Sequence, residues 1–119
     1  MPDTAGMEKP LHTVVETPAF LAGAEKAGMT DAERTTAVNQ IAADPTAGDR
    51  IVGSGGCRKV RVAGRGFGKS GGFRVVTAYL NARLPVFLIA VLSKGRAANF
   101  TREQVKAMKG MMDRLRAGS

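Results

Sequence analysis

The sequence has one cysteine, one histidine and no long apolar run, and each scarcity excludes a class of protein. Cys57 alone cannot form an internal disulfide or a cysteine-based metal cluster. His12 alone does not build a histidine-based zinc site, so we expect neither a metal nor a cofactor. The longest apolar run, residues 84–92, contains Pro85 and is about half as long as a membrane-spanning helix must be.

The first residues carry breakers and charges in place of an apolar segment. Pro2, Gly6 and Pro10 interrupt any pattern, so residues 1–11 are expected to form a flexible leader. Asp3 and Glu8 do not fit a secretory signal. Together with the single thiol, this favours a cytoplasmic location for the protein. The rest is short enough for one domain, expected over residues 12–116, with residues 117–119 as a tail.

Carboxylates are missing from the middle of the chain. Residues 1–49 contain eight acids and three bases, whereas residues 50–102 contain eleven Arg and Lys and neither Asp nor Glu. Residues 103–119 add four bases and two acids, which gives the overall net charge of +8. Because a segment of one sign repels itself, we expect a polyanion or an acidic protein partner near residues 50–102.

Periodicity and turn residues predict an α+β domain with the element order β-α-α-β-β-β-α. Capping boxes are expected to open the second helix, at Thr30 and Glu33, and the last helix, at Thr101 and Gln104. Residues 64–72 are expected to form a glycine-rich loop between strands. The predicted strands cover residues 12–16, 58–63, 73–80 and 86–92, and the predicted helices follow Thr17, Thr30 and Thr101. The strands should pair in a small, mainly antiparallel sheet that the helices cover.

The glycine-rich loop contains two patterns that suggest nucleotide binding. Gly68-Lys69-Ser70 resembles the end of a P-loop, but Ala63 stands where that motif needs its first glycine. Gly66, Gly68 and Gly71 fit G-x-G-x-x-G. Both motifs bind phosphate at a helix N-terminus, and this loop runs from strand to strand, so a nucleotide cofactor is not expected.

Cations at the strand ends are expected to converge. Lys59 and Arg61 are two residues apart in a strand and therefore share a face. If the next hairpin turns at residues 81–83, Arg74 lies opposite residues near 92 and so near Lys94. The further cations expected around this patch are Arg58, Arg65, Lys69 and Arg96.

Several strings in the sequence together carry a resemblance to a known family. They are residues 58–61 (RKVR), 64–75 (GRGFGKSGGFRV), Lys94-Gly95, residues 98–101 (ANFT), 14–20 (VVETPAF) and 30–34 (TDAER). Over about residues 12–116 the chain resembles the RelE/HigB toxins of bacterial toxin–antitoxin pairs. The resemblance implies a cytoplasmic endoribonuclease that cuts mRNA on the translating ribosome without a metal and is held in check by a cognate antitoxin.

The resemblance also suggests residue roles. Arg74 is assigned to the scissile phosphate, and Lys94 to phosphate stabilisation or proton transfer. Lys59 and Arg61 are assigned to base or substrate-backbone contacts, because clustered cations lower the pKa of a lysine among them. The residues assigned to flanking phosphates are Arg58, Arg65, Lys69 and Arg96. Phe100 stands where many relatives have a tyrosine, and its ring cannot exchange a proton.

Two other functions fit the same charge pattern. A non-catalytic RNA- or ribosome-binding module would need the basic sheet but no catalytic geometry. A ParE-type inhibitor of DNA gyrase would share the fold and act on a different target.

Overall fold

The computed structural model describes residues 11–64, 68–93 and 100–118, and for residues 63, 64, 68–71 and 93 it describes the backbone alone. Its elements confirm the predicted α+β class and add a two-residue edge strand, β2, that the sequence pattern did not predict. In chain order they are β1 (Val14–Glu16), α1 (Pro18–Lys26), α2 (Asp31–Ala43), β2 (Asp49–Arg50), β3 (Cys57–Gly64), β4 (Gly68–Ala78), β5 (Val86–Ser93) and α3 (Arg102–Gly118).

The strands form one mixed sheet in the order β1-β5-β4-β3-β2. β1 runs parallel to β5, and the other neighbouring strands pair antiparallel. β5 lies inside the described sheet, which explains why its sequence is apolar on both faces.

Helices α1 and α2 cover one face of the sheet, called here the hairpin face. Thr17 caps α1 by accepting a hydrogen bond from the Phe20 N–H at 3.1 Å, and Pro18 occupies the first turn. Thr30 and Glu33 cap α2 reciprocally, as predicted. The two helices and this face bury one core cluster: Phe20, Ala24, Met29, Ala37, Ile41, Val60, Val62, Phe73, Val75, Val86 and Leu88.

Helix α3 covers part of the opposite face, called here the α3 face. The predicted capping box is present, since Thr101 accepts from the Gln104 N–H at 3.1 Å and Gln104 accepts from the Thr101 N–H at 2.8 Å. Met108 and Met112 are buried, and Val105 and Leu115 pack beside them. The sheet and the residue that follows β2 contribute the rest of this second cluster: Ile51, Cys57, Val76 and Ala78.

The glycine-rich loop predicted over residues 64–72 is shorter than expected. β4 already begins at Gly68, and Gly64 pairs with Gly68 in the β3–β4 ladder. Ladder hydrogen bonds come from the main chain, so glycines can extend a strand although they show no side-chain alternation in the sequence. A register shift between Val62 and Gly64 marks an irregularity where the two strands approach the turn.

Candidate nucleic-acid interface

Lys59 and Arg61 lie on the α3 face of β3. Cys57, two residues before Lys59, is buried under α3 on that face, whereas Val60 and Val62 are buried on the hairpin face. Side chains two residues apart share a face, so Lys59 and Arg61 follow Cys57. The prediction that these two cations share a face is confirmed.

Arg61 and Arg74 are direct partners across the β3–β4 ladder, and we call them the arginine pair. Directly opposed residues have Cβ atoms about 4.5–5.5 Å apart, and like charges in such positions destabilise a sheet. Arg74 also pairs with Leu92 of β5, as the predicted hairpin register requires. Within the part of the chain that the structure describes, neither arginine has an ion-pair partner.

Helix α3 leaves the arginine pair open. Along β4, Ala78 and Val76 are fully buried under the helix, whereas Arg74, the next residue on the same face, is half-buried. Its partner Arg61 is exposed. Two guanidinium groups are therefore available to a ligand at the end of the sheet that the described part of α3 does not cover.

Edge strand β2 places a carboxylate on the same face. Asp49 is the direct ladder partner of Lys59, and its side chain is exposed. Gly48 precedes it with φ of +94°, and a Cβ at this position would overlap the carbonyl of Lys59. Sequence reasoning missed Asp49, because a two-residue strand has no periodicity; its one signal is that Asp49 is the last carboxylate before the acid-free segment.

Arg58 does not join the arginine pair. It alternates with Lys59 and so lies on the hairpin face, opposite Arg50 of β2 and Thr77 of β4. Thr77 is buried, and its hydroxyl has no hydrogen-bond partner among the described residues. The predicted contact of Arg58 with RNA thus remains a prediction that concerns the other face of the sheet.

The other predicted cations are outside what the structure describes. Lys69 belongs to β4, but only its backbone is described. Arg65, Lys94 and Arg96 lie outside the described residues. Their assigned roles stay predictions.

Comparison with known proteins identifies the family. A family model described as the RelE toxin of the RelE/RelB toxin–antitoxin system matches residues 13–119. The chain belongs to the RelE toxin family. A solved structure of a mutant of the E. coli toxin RelE in the free state is similar, with a TM-score of 0.54, 17% identity, and coverage of 85% of this chain and 96% of that chain. At this identity the likeness concerns the fold. A toxin of this family implies an antitoxin partner.

Tyr79 and Phe100 of this RelE-family toxin serve its packing. Tyr79 follows the end of β4 and packs on the hairpin-face core, where its ring meets His12 edge-on at a centroid distance of 5.1 Å. The His12 side chain is 2.7 Å from the carbonyl oxygen of Leu84. Phe100 packs against the core under α3. Tyr79 therefore lies on the face opposite Arg74.

Burial shifts the pKa of Cys57, and an ion pair shifts that of Arg34. Burial raises the pKa of the Cys57 thiol, and a hydrogen bond with Ser54 opposes this weakly. The Glu16 carboxylate, 2.7 Å from Nε of Arg34, raises the pKa of that guanidinium. This ion pair joins β1 to α2 on the hairpin face. Neither group belongs to the arginine pair.

The described residues show neither a metal-binding group nor a membrane-spanning helix. They contain no group of three or more His, Cys, Asp or Glu side chains that is placed to hold a metal ion. None of their helices is both long enough and apolar enough to cross a bilayer.

Proposed function

We propose that this toxin is an mRNA endoribonuclease that inhibits translation by cutting transcripts on the ribosome with cationic side chains and no metal. The observation that carries the proposal is the arginine pair, Arg61 opposite Arg74 on an open stretch of sheet. Membership of the RelE toxin family supports it, because cleavage of mRNA is the general activity of RelE toxins.

The arginine pair favours a phosphodiester as its ligand. Two opposed guanidinium groups repel each other, and neither has an ion-pair partner among the described residues. A phosphate inserted between them would remove that repulsion, and guanidinium groups bind its oxygens in a planar, bidentate geometry. The two guanidinium groups thus repel each other in the free protein, and both attract the phosphate in the complex.

The chemistry required is transfer of the phosphoryl group to the neighbouring ribose oxygen. The 2′-oxygen loses its proton and forms a bond to phosphorus, while the bond from phosphorus to the 5′-oxygen breaks and that oxygen gains a proton. The products are a 2′,3′-cyclic phosphate and a 5′-hydroxyl. In our assignment Arg61 and Arg74 neutralise the charge that grows on the phosphate oxygens, and Lys59 lies two residues from Arg61 on the same face. Lys94 keeps its predicted role in phosphate stabilisation or proton transfer.

The test is a cell-free translation reaction in which new 5′ ends of the transcript are mapped. We expect the unmodified toxin to cut mRNA and Arg74→Ala to lose about 100-fold or more in rate, as enzymes do when one group that stabilises transition-state charge is removed. Arg83→Ala is the matched control, because Arg83 is an exposed cation of the β4–β5 connection and lies outside the pair. Its cleavage rate should equal that of the unmodified toxin.

The other outcomes identify the competing functions. A toxin that binds ribosomes or RNA but produces no new 5′ ends would be a non-catalytic binding module. A toxin that leaves RNA intact and blocks supercoiling by DNA gyrase would belong with the ParE-type inhibitors. Equal cleavage by Arg74→Ala and Arg83→Ala would remove the arginine pair from the mechanism.

A further inference from the structure

The proposed cleavage needs a proton acceptor for the 2′-hydroxyl, and the acid-free segment contains neither a carboxylate nor a histidine. We propose that Asp49, supplied by edge strand β2, is the catalytic base that accepts this proton. This inference rests on the proposed endoribonuclease function and adds a residue that lies outside the predicted cationic set.

The ladder places Asp49 beside the cations. It pairs directly with Lys59, so the Cβ atoms of the two residues are about 4.5–5.5 Å apart on one face. Arg61 is two residues along β3 from Lys59, which places it at the diagonal position, about 7–8 Å from Asp49. One ribose–phosphate unit can bridge that diagonal, with its 2′-oxygen at Asp49 and its phosphate at the arginine pair.

Gly48 holds the carboxylate in this position. Its φ of +94° is a conformation that residues with side chains rarely adopt. The space for a Cβ at Gly48 is already filled by the carbonyl of Lys59 and, at 3.0 Å, by Cγ2 of Val60. The β2 backbone therefore lies in close contact with β3 at Lys59, the residue opposite Asp49. A larger residue at position 48 would separate the two strands.

The chemistry of the available groups favours the carboxylate as the base. Free carboxyl groups are ionised near neutral pH and can accept a proton, whereas amines are mostly protonated there. Guanidinium groups stay charged and have no acceptor atom. Asp49 is exposed, so a ribose can reach it. With Asp49 as the base, the role that we assign to Lys59 is to stabilise the phosphate or to protonate the departing 5′-oxygen.

The test compares Asp49→Asn, Asp49→Ala and Asp49→Glu with Glu25→Gln. Glu25 is an exposed carboxylate of α1, so its substitution makes the same change in net charge away from the α3 face. Three quantities are measured for each variant: the single-turnover cleavage rate, the affinity for a non-cleavable RNA carrying 2′-O-methyl groups, and the unfolding temperature. Each Asp49→Ala reaction is repeated with added sodium formate, and with sodium chloride at the same concentration.

We expect Asp49→Asn to cleave about 100-fold or more slowly, in the range of a lost general base, while its affinity for RNA is equal or higher. Asp49→Glu should retain more activity than Asp49→Asn, and formate should raise the rate of Asp49→Ala where chloride does not. Glu25→Gln should cleave like the unmodified toxin.

Two results would overturn the inference alone. One is an Asp49→Asn variant as fast as Glu25→Gln while Arg74→Ala is inactive, which leaves the endoribonuclease function standing. The other is a loss of cleavage that follows a loss of RNA affinity or of folding and does not respond to formate, which would make Asp49 a structural residue of the sheet edge. If the unmodified toxin fails to cut RNA, the proposed function and this inference fail together.

Discussion

Individual charges in this toxin work against the stability of the fold. Arg61 and Arg74 oppose each other across the ladder, where like charges cost free energy and opposite charges would gain it. Such an arrangement is common where binding or catalysis requires a group that the fold would not otherwise place there. The arginine pair should therefore show a trade between stability and activity.

Arg61→Gln tests this trade, because glutamine keeps much of the length of the side chain and removes its charge. We expect the free energy of unfolding to rise by about 0.2–1 kcal/mol at low salt, while RNA cleavage slows. Urea denaturation measures the first change and the cleavage assay the second. The stabilisation should shrink in 1 M NaCl, where charges interact over about 3 Å. A less stable Arg61→Gln at low salt would show that the pair does not repel.

The raised pKa of the Cys57 thiol makes stability depend on alkaline pH. A buried thiol holds its proton to higher pH in the folded chain than in the unfolded chain. The folded state therefore binds more protons above the pKa of a free thiol, about 8.5, and the free energy of unfolding falls as pH rises past that value. Below it this contribution is fully present.

Comparison with Cys57→Ala isolates the thiol. The stability advantage of the unmodified toxin over the variant should shrink between pH 8 and 10, by at most about 1.4 kcal/mol per pH unit. Denaturation midpoints at several pH values measure it, and groups other than Cys57 affect both proteins equally. A constant difference across this range would mean that the thiol has the same pKa in both states.

Residue positions on the α3 face were predictable to different degrees. Alternation along one strand was enough to place Lys59 and Arg61 together, and the hairpin register placed Arg74 near residue 92. Asp49 was not predictable, since its position depends on a two-residue strand held by the Gly48 backbone. The roles assigned to Lys59, Arg61 and Arg74 came from resemblance to the family and from geometry, and they stay predictions.

At the scale of elements, local signals were reliable at the helix starts and weak at the strand ends. The capping boxes at Thr30 and Thr101 are made by residues three apart, so the sequence shows them directly. The start of β4 at Gly68 depends on pairing with Gly64, and glycines have no side chain to show which face is buried. The parallel pairing of β1 with β5 joins segments about 70 residues apart, which no local pattern reveals.

Gly48→Ala is the sharpest test of an element boundary. Alanine at this position would require both an unfavourable φ and displacement of the Lys59 carbonyl, so β2 should separate from β3. Gly28→Ala is the matched control, because Gly28 has φ of +79° but nothing within 4 Å of a Cβ. The control should lose about 1–2 kcal/mol from the backbone conformation alone, and Gly48→Ala should lose more. If urea denaturation gives equal losses in the free energy of unfolding for both variants, the close approach of Gly48 to the Lys59 carbonyl does not contribute to stability.

At the scale of the whole molecule, charge is divided between the two halves of the sequence. The first 49 residues, with a net charge of −5, include β1, helices α1 and α2, and the first residue of β2. The next 53 residues, with a net charge of +11, include β3, β4 and β5. A polyanion should therefore approach the sheet and avoid the hairpin, and RNA binding should weaken steeply as salt rises.

The slope of this salt dependence separates phosphate contacts from the general field. Each phosphate that a cation neutralises adds about 0.7 to the slope of log affinity against log salt for a single strand. Arg74→Ala should therefore lower the magnitude of the slope by about 0.7, because Arg74 is assigned to a phosphate. Arg83→Ala removes the same charge from an exposed site outside the pair and should leave the slope unchanged. Affinities for a non-cleavable RNA between 50 and 300 mM NaCl, about a sixfold range, measure both slopes. If the two variants lower the slope equally, RNA affinity depends on the total charge of the toxin, and Arg74 makes no specific contact with a phosphate.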